Sequence, residues 1–266
     1  MLHPKQFGKA DLHVHSNFSD GKMSIEKILE YTENKTDLDI IAITDHDIIT
    51  GAKLAQKIAK KRNYRVKVIV GEEVSCKEGH VLALFIRKKI PAGLELKETL
   101  KLIRQQSGMA IAPHPLYHSR FHKKGIITTD GIGYAALVKQ KDHFDAIETF
   151  NGNPLAKKQN LKITLFNNFS LSKPVVGGSD AHITEAIGIG YTSFKGQDIK
   201  SFKFALANSQ TIACPGKLKL FALLKYGFCF VPQGIKLLLN TIKHGKIGKR
   251  RMDYEQARII LSPTKL

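Results

Sequence analysis

From residue 9 to about residue 194, short apolar runs alternate with stretches whose apolar positions recur at helical spacing. Residues 10–13, 38–44, 66–71, 80–86, 109–112, 146–150 and 175–177 read as strands. Helical patterns fall between most of them: one begins at Ser24, and others cover 50–61, 94–106, 133–141 and 154–168. Strands and helices alternating at these lengths predict βαβ units and an α/β fold with a mostly parallel sheet or barrel. There is no internal repeat and no low-complexity linker.

The polar residues are placed unevenly along this pattern. His13 and His15 come at the end of the first run, with Leu12 and Val14 expected on the opposite face of the strand. Thr44-Asp45-His46-Asp47 follows the second run and Glu72-Glu73 the third. Pro113-His114-Pro115, Asn151 and Ser179-Asp180-Ala181-His182 follow three later ones. In α/β barrels the C-terminal strand ends form the rim that carries the chemistry. Six successive placements at that end define a site.

The candidate ligands are His13, His15, Asp20, His46, Glu73, His80, His114, Asp180 and His182. Six imidazoles and three carboxylates make a borderline-to-hard donor set suited to Zn, Mn or Fe, and thiolates have no part in it. Nine donors exceed the needs of one ion and suit two or three. Glu73 is the expected bridge, because a carboxylate between two cations offsets their repulsion. Strand alternation turns Glu72 away from it. Asp45 is read as hydrogen-bonding a ligand or shaping the loop, and as the candidate catalytic acid near the leaving group. Cys76 reads as a buried structural thiol.

Charge and cysteine usage narrow the setting. A net charge of +19 favours polyanionic partners: nucleic acid, phosphorylated metabolites or an acidic membrane surface. Three cysteines without C-x-x-C spacing imply neither a disulfide framework nor a cysteine zinc site. The N-terminus lacks the apolar core of a signal peptide, and the apolar stretch 218–242 is interrupted by Lys225, Pro232, Gln233 and Lys236. These features predict a cytoplasmic protein with no transmembrane segment; the oligomeric state is not legible.

Taken together, the motifs resemble the PHP (polymerase and histidinol phosphatase) domain family. The resemblance rests on Asp11-Leu-His13-x-His15-Ser with Ser19-Asp20-Gly21, on Ile43-Thr-Asp-His46-Asp47, on Gly71-Glu-Glu73-Val-Ser with His80, on Ala112-Pro-His114-Pro115, and on Gly178-Ser-Asp180-Ala-His182. It implies a distorted (β/α)7 barrel with a site for two or three metal ions. In that pattern His13, His15, Glu73 and Asp180 hold one ion, Glu73, His80 and His114 a second, and Asp20, His46 and His182 a third. Some members carry His where this chain has Asp20. The resemblance points to the stand-alone phosphoesterases, nucleotide phosphatases and 5′–3′ exonucleases among them, in which a metal-activated hydroxide attacks phosphorus. A histidinol-phosphate or other metabolite phosphatase ranks lower.

Two regions outside the ligand set bear on substrate. The loop after His114 carries His118, Arg120, His122, Lys123 and Lys124, with Tyr117 and Phe121 between them. Arg120 is suited to a bidentate phosphate contact, His118 and Asn151 are further substrate candidates, and the aromatic rings suit base stacking. Residues 216–266, set apart as a basic, mostly helical extension to a barrel over 1–215, hold eleven Lys or Arg against two acids. Helices are expected at 218–224 and 235–242, followed by a basic run at 243–251 that suits a nucleic-acid backbone or an anionic surface. Two other classes stay open: a C–N bond metal hydrolase, whose barrels also open on His-x-His, and a basic nucleic-acid-binding protein with an inactive barrel.

Overall fold

The computed structural model describes residues 6–117, 119–120, 127–128, 130–217 and 221–228. In chain order the barrel elements are β1 (Phe7–Val14), α1 (Ile25–Lys35), β2 (Ile40–Ile43), α2 (Thr50–Lys61), β3 (Lys67–Ser75), β4 (His80–Leu84), α3 (Leu96–Gln105) and β5 (Met109–Ala112). Two short paired strands follow, β6 (Ser119–Arg120) and β7 (Ile127–Thr128), then α4 (Gly133–Gln140), β8 (Ala146–Asn151), α5 (Lys157–Phe166) and β9 (Val175–Gly178). The chain continues through β10 (Gly190–Lys195), α6 (Ile199–Ala207) and β11 (Ile212–Pro215).

One sheet runs in the order β11-β10-β1-β2-β3-β4-β5-β8-β9. Strands β1 to β3 are mutually parallel, as are β5, β8 and β9, while β4 lies antiparallel between β3 and β5. The two ends of this seven-strand run meet. The Ser179 amide donates to the Asp11 carboxylate at 2.9 Å, and the His15 amide to the Ala181 carbonyl at 2.9 Å. The result is a nearly closed, distorted (β/α) barrel. Its seven strands are the seven expected apolar runs. The β10–β11 hairpin and α6, which the apolar pattern does not announce, extend the sheet beyond β1.

Alternation along the strands divides the core. Ile41, Ile43, Val68, Val70, Ala110 and Ala112 face outward and pack with Ile28 and Leu29 of α1, Ala52 and Ala55 of α2, and Leu100 and Ile103 of α3. The other face gathers Ala10, Ile40, Ala42, Ile69, Leu82, Leu84, Ile111, Ala146 and Val176 with Phe202 and Leu206 of α6. Burial of each large aliphatic side chain contributes about 1.5–3 kcal/mol. The expectation that Leu12 and Val14 share a face is corrected. Leu12 joins the inner cluster and Val14 the outer, because the β1–β2 register shifts between Asp11 and Val14. A bulge of this kind re-aims the side chains after it, here His13 and His15.

Beyond β11 a helix covers 221–228, where the pattern places one at 218–224. Its Ala222 is fully buried. The expected helix at 235–242 and the basic run at 243–251 lie outside the described residues. Among the described residues no helix is long and apolar enough to cross a membrane.

Candidate metal centre

The face that buries apolar side chains at one end of the barrel turns polar at the other. On β3 the inward series runs Ile69, Gly71, Glu73; on β8 it runs Ala146, Glu148. Strand β3 does not stop at Gly71 but continues to Ser75, because the β4 hairpin pairs with it as far as Ser75 opposite His80. Since β4 runs the other way, His80 at its N-terminal start reaches the rim where the parallel strands have their C-terminal ends. Glu72, one residue from Glu73, points to the opposite face and accepts the Ile90 amide at 2.9 Å.

Glu73 lies at the middle. Its Oε2 is 3.0 Å from His13 Nε2, 3.2 Å from His15 Nε2 and 3.4 Å from His46 Nε2. Its Oε1 is 2.9 Å from His80 Nδ1 and 3.0 Å from His114 Nε2. Asp180 Oδ1 lies 3.5 Å from His13 Nε2 and 3.3 Å from His15 Nε2, and Asp20 Oδ2 lies 3.0 Å from His182 Nε2. All nine expected residues therefore converge on one site. Donor atoms fall within 4.8 Å of one another in four overlapping groups. These are His15, Asp20, His46 and His182; His13, Glu73 and His114; His13, His15 and Asp180; and His46, Glu73 and His80. This partition differs from the one the family resemblance implies: His15 and His46 each belong to two groups, so both link the Asp20–His182 end to the rest.

The supporting shell assigns several roles anew. Asp45, read both as shaping the loop and as a candidate catalytic acid, accepts the Ser16 amide at 2.7 Å, the Ser16 hydroxyl at 2.6 Å and the Ser19 hydroxyl at 2.6 Å. Its fully buried carboxylate is committed to holding the loop that carries Asp20. Gly21 in the same loop is required sterically, since a Cβ there would lie 2.4 Å from the His15 carbonyl oxygen. Asn151, expected to contact substrate, is buried. It donates its amide to Glu148 at 3.0 Å and to Asp180 at 3.3 Å, while its carbonyl accepts the Asn153 amide. Its side-chain amide thereby joins two carboxylates of the site. Cys76 is buried and donates its thiol to the Gly79 carbonyl. His118 and the side chain of Arg120 lie outside the described residues.

Glu148 is the residue that the motif pattern misses. It accepts His13 Nδ1–H at 3.1 Å and the His114 amide at 2.8 Å. With Nδ1 donating, His13 presents Nε2 to Glu73 and Asp180, the carboxylate–histidine arrangement that fixes a ligand's tautomer. The signal is present in the sequence: Glu148 stands two residues after inward-facing Ala146, a charged residue on the inner face of a buried strand. His182 is fixed in a similar way, donating Nδ1–H to the Asp180 carbonyl at 2.9 Å and leaving Nε2 towards Asp20.

The electrostatics ask for added positive charge. Burial opposes protonation of His13, but Asp180, Glu73 and Glu148 outweigh it and hold its pKa well above the ordinary value. His15 is raised to about 10 and His114 to about 9, the nearby carboxylates in each case overcoming burial. At His46 burial prevails and the pKa falls to about 3. Burial would raise Glu73, Asp20 and Asp180, yet the surrounding imidazoles hold all three well below the carboxylate range. A divalent ion answers the same demand. Both ring nitrogens of His15 and Nδ1 of His114 are fully buried without a hydrogen bond of acceptable geometry. A lone pair aimed among carboxylates fits a metal ligand, and this donor set fits Mn, Zn or Fe.

The PHP domain profile matches residues 11–196, about seventy per cent of the chain. The chain belongs to the PHP domain family. An uncharacterized protein of Methanocaldococcus jannaschii is 39% identical over 118 residues, which cover 40% of this chain and 67% of that protein. The phosphoribosyl 1,2-cyclic phosphate 1,2-diphosphodiesterase of Eggerthella lenta is 33% identical over 88 residues, 31% of this chain and 32% of the enzyme. The 5′–3′ exoribonuclease of Haemophilus influenzae is 31% identical over 109 residues, 39% of this chain and 38% of the enzyme. Among solved structures, a two-domain protein of Bacteroides vulgatus containing a predicted PHP-like metal-dependent phosphoesterase superposes with a TM-score of 0.60 at 21% identity. That match covers 80% of this chain and 66% of the other. The nine convergent residues thus lie within the matched PHP region.

Proposed function

We propose that this PHP-domain chain is a metal-dependent phosphoesterase acting on phosphate esters of nucleotides or on nucleic-acid 5′ ends. The observation that carries the reading is Glu73, a buried carboxylate with five imidazole nitrogens within 3.4 Å. When bound there, divalent ions neutralise phosphate oxygens and bring the pKa of water towards neutrality. The chain's own residues supply the rest. Glu73 would be shared between ions, His13, His15, His46, His80, His114, Asp180, Asp20 and His182 would hold them, and Glu148 and Asn151 keep His13 and Asp180 oriented. Asp45 acts through the Asp20 loop as a positioning residue. The basic loop holding His118, Arg120, Lys123 and Lys124 is the proposed phosphate contact, and the net charge of +19 draws polyanions towards it.

Nucleic-acid ends are favoured by that charge and by the name of the Haemophilus relative, an exoribonuclease, while the Eggerthella relative is named for a phosphoribosyl cyclic phosphate, a phosphate ester without a base. The test is a paired assay of Mn-loaded protein. It compares phosphate release from mononucleotides and 3′,5′-bisphosphates with nucleotide release from 5′-phosphorylated single strands, at low and high salt. Release from strands that is lost at high salt identifies an exonuclease. Salt-insensitive release from small phosphates alone identifies a nucleotide phosphatase. No release from either class overturns the reading.

A further inference from the structure

The helix over 221–228 lies outside residues 11–196 that match the PHP domain, yet it reaches the candidate metal centre. Tyr226 Oη accepts the His182 backbone amide at 3.2 Å and donates to the Asp180 carbonyl at 3.4 Å. That carbonyl also receives His182 Nδ1–H at 2.9 Å, so one phenol and one imidazole share an acceptor. Asp180 itself sits at φ 53°, the left-handed region that costs a non-glycine residue free energy unless its surroundings hold it there. The helix is fastened on the N-terminal side of Tyr226. Lys225 Nζ pairs with both Glu185 oxygens at 2.7 and 2.8 Å, and Ala222 is fully buried.

We infer that Tyr226 is a positioning residue for the metal centre: the 221–228 helix, through the Tyr226 hydroxyl, fixes the turn from Asp180 to His182 and with it the direction of His182 Nε2. The inference deepens the proposed function and rests on it. The His15–Asp20–His46–His182 group is therefore completed by a segment beyond the family domain. Removing the hydroxyl leaves the His182 amide without its acceptor and removes one of two donors from the Asp180 carbonyl. The ring then loses its fixed orientation while the aromatic packing stays.

The test uses full-length metal-free protein titrated calorimetrically with Mn²⁺, comparing wild type, Tyr226→Phe and Phe221→Ser, the last an exposed residue of the same helix. Tyr226→Phe is expected to weaken one class of Mn²⁺ site about tenfold, within the 10–100-fold range for loss of an outer-shell partner. The remaining sites should stay within twofold, and Phe221→Ser should match wild type throughout. Activity of Tyr226→Phe on bis(p-nitrophenyl) phosphate should fall at limiting Mn²⁺ and return at saturating Mn²⁺. Equal affinities at every site in wild type and Tyr226→Phe overturn the inference. So does a lowered melting temperature of the metal-free variant together with activity that excess Mn²⁺ does not restore, because that is a packing role. Wild type that binds no Mn²⁺ contradicts the metal reading itself, and the inference falls with it.

Discussion

The two ends of the candidate centre are built differently. At the Glu73 end the donors stand on strands or immediately after them: His13 on β1, Glu73 on β3, His80 on β4 and His114 just past β5. His13, Glu73 and His114 are sealed from solvent there, His80 is 14% exposed, and Glu148 locks His13 from behind. At the other end Asp20 and His182 stand on loops, with side chains 33% and 16% exposed. Those loops are held by Asp45 through Ser16 and Ser19 and by Tyr226 through the Asp180–His182 turn. A strand-borne site is preorganised by the sheet, whereas a loop-borne site is only as rigid as the hydrogen bonds that brace it. On the proposed metal reading, the difference predicts two tightly held ions at the Glu73 end and a weaker, exchangeable one at the Asp20 end.

The strongest way to break this comparison is Glu73→Gln, which keeps volume and removes the shared charge. Phosphoesterase activity should fall by about 10³-fold or more, and metal content after dialysis should drop by two ions, measured by elemental analysis. Glu148→Gln should be milder and confined to one end. It should weaken metal binding at the Glu73 end about 10–100-fold, with the weaker site unchanged in a Mn²⁺ titration. Asp20→Asn should do the converse, releasing the exchangeable ion and sparing the tight pair, with activity reduced about tenfold.

The smallest effect concerns stability. Glu72, raised to about 8 chiefly by burial, contributes full stability below its unfolded pKa near 4.5. That contribution is lost as pH rises through about 8. Glu72→Gln keeps the acceptor for the Ile90 amide and removes the ionisation. Denaturant unfolding should show the variant more stable than wild type by about 1–2 kcal/mol at pH 8.5 and nearly equal at pH 5. A stabilised Glu72→Gln beside an inactive Glu73→Gln would show how one strand assigns opposite duties to neighbouring carboxylates.

Much of this was open to reading. The seven barrel strands announce themselves as apolar runs, and the nine donors stand out because His, Asp and Glu are otherwise out of place at strand ends. Two kinds of feature were hidden. Local geometry was one: the β1 bulge that separates Leu12 from Val14, and the β4 pairing that carries β3 past Gly71, depend on partner strands that no window of sequence contains. Long-range hydrogen bonding was the other. The sequence pattern already marks Asp45 as a loop-shaping residue, but its partners Ser16 and Ser19, and the Glu148 and Asp180 partners of Asn151, are legible only in the fold. Tyr226 lay in a stretch set apart as a basic helical extension, and nothing in that pattern marks the hydroxyl that reaches the Asp180–His182 turn.

The most direct measurement is a Mn²⁺ titration of metal-free wild-type protein, followed by calorimetry and by activity at each equivalent. Two ions should bind tightly, with a third about tenfold or more weaker that Asp20→Asn alone removes. Binding that saturates at one ion, or that Glu73→Gln leaves unchanged, would contradict a centre organised around Glu73.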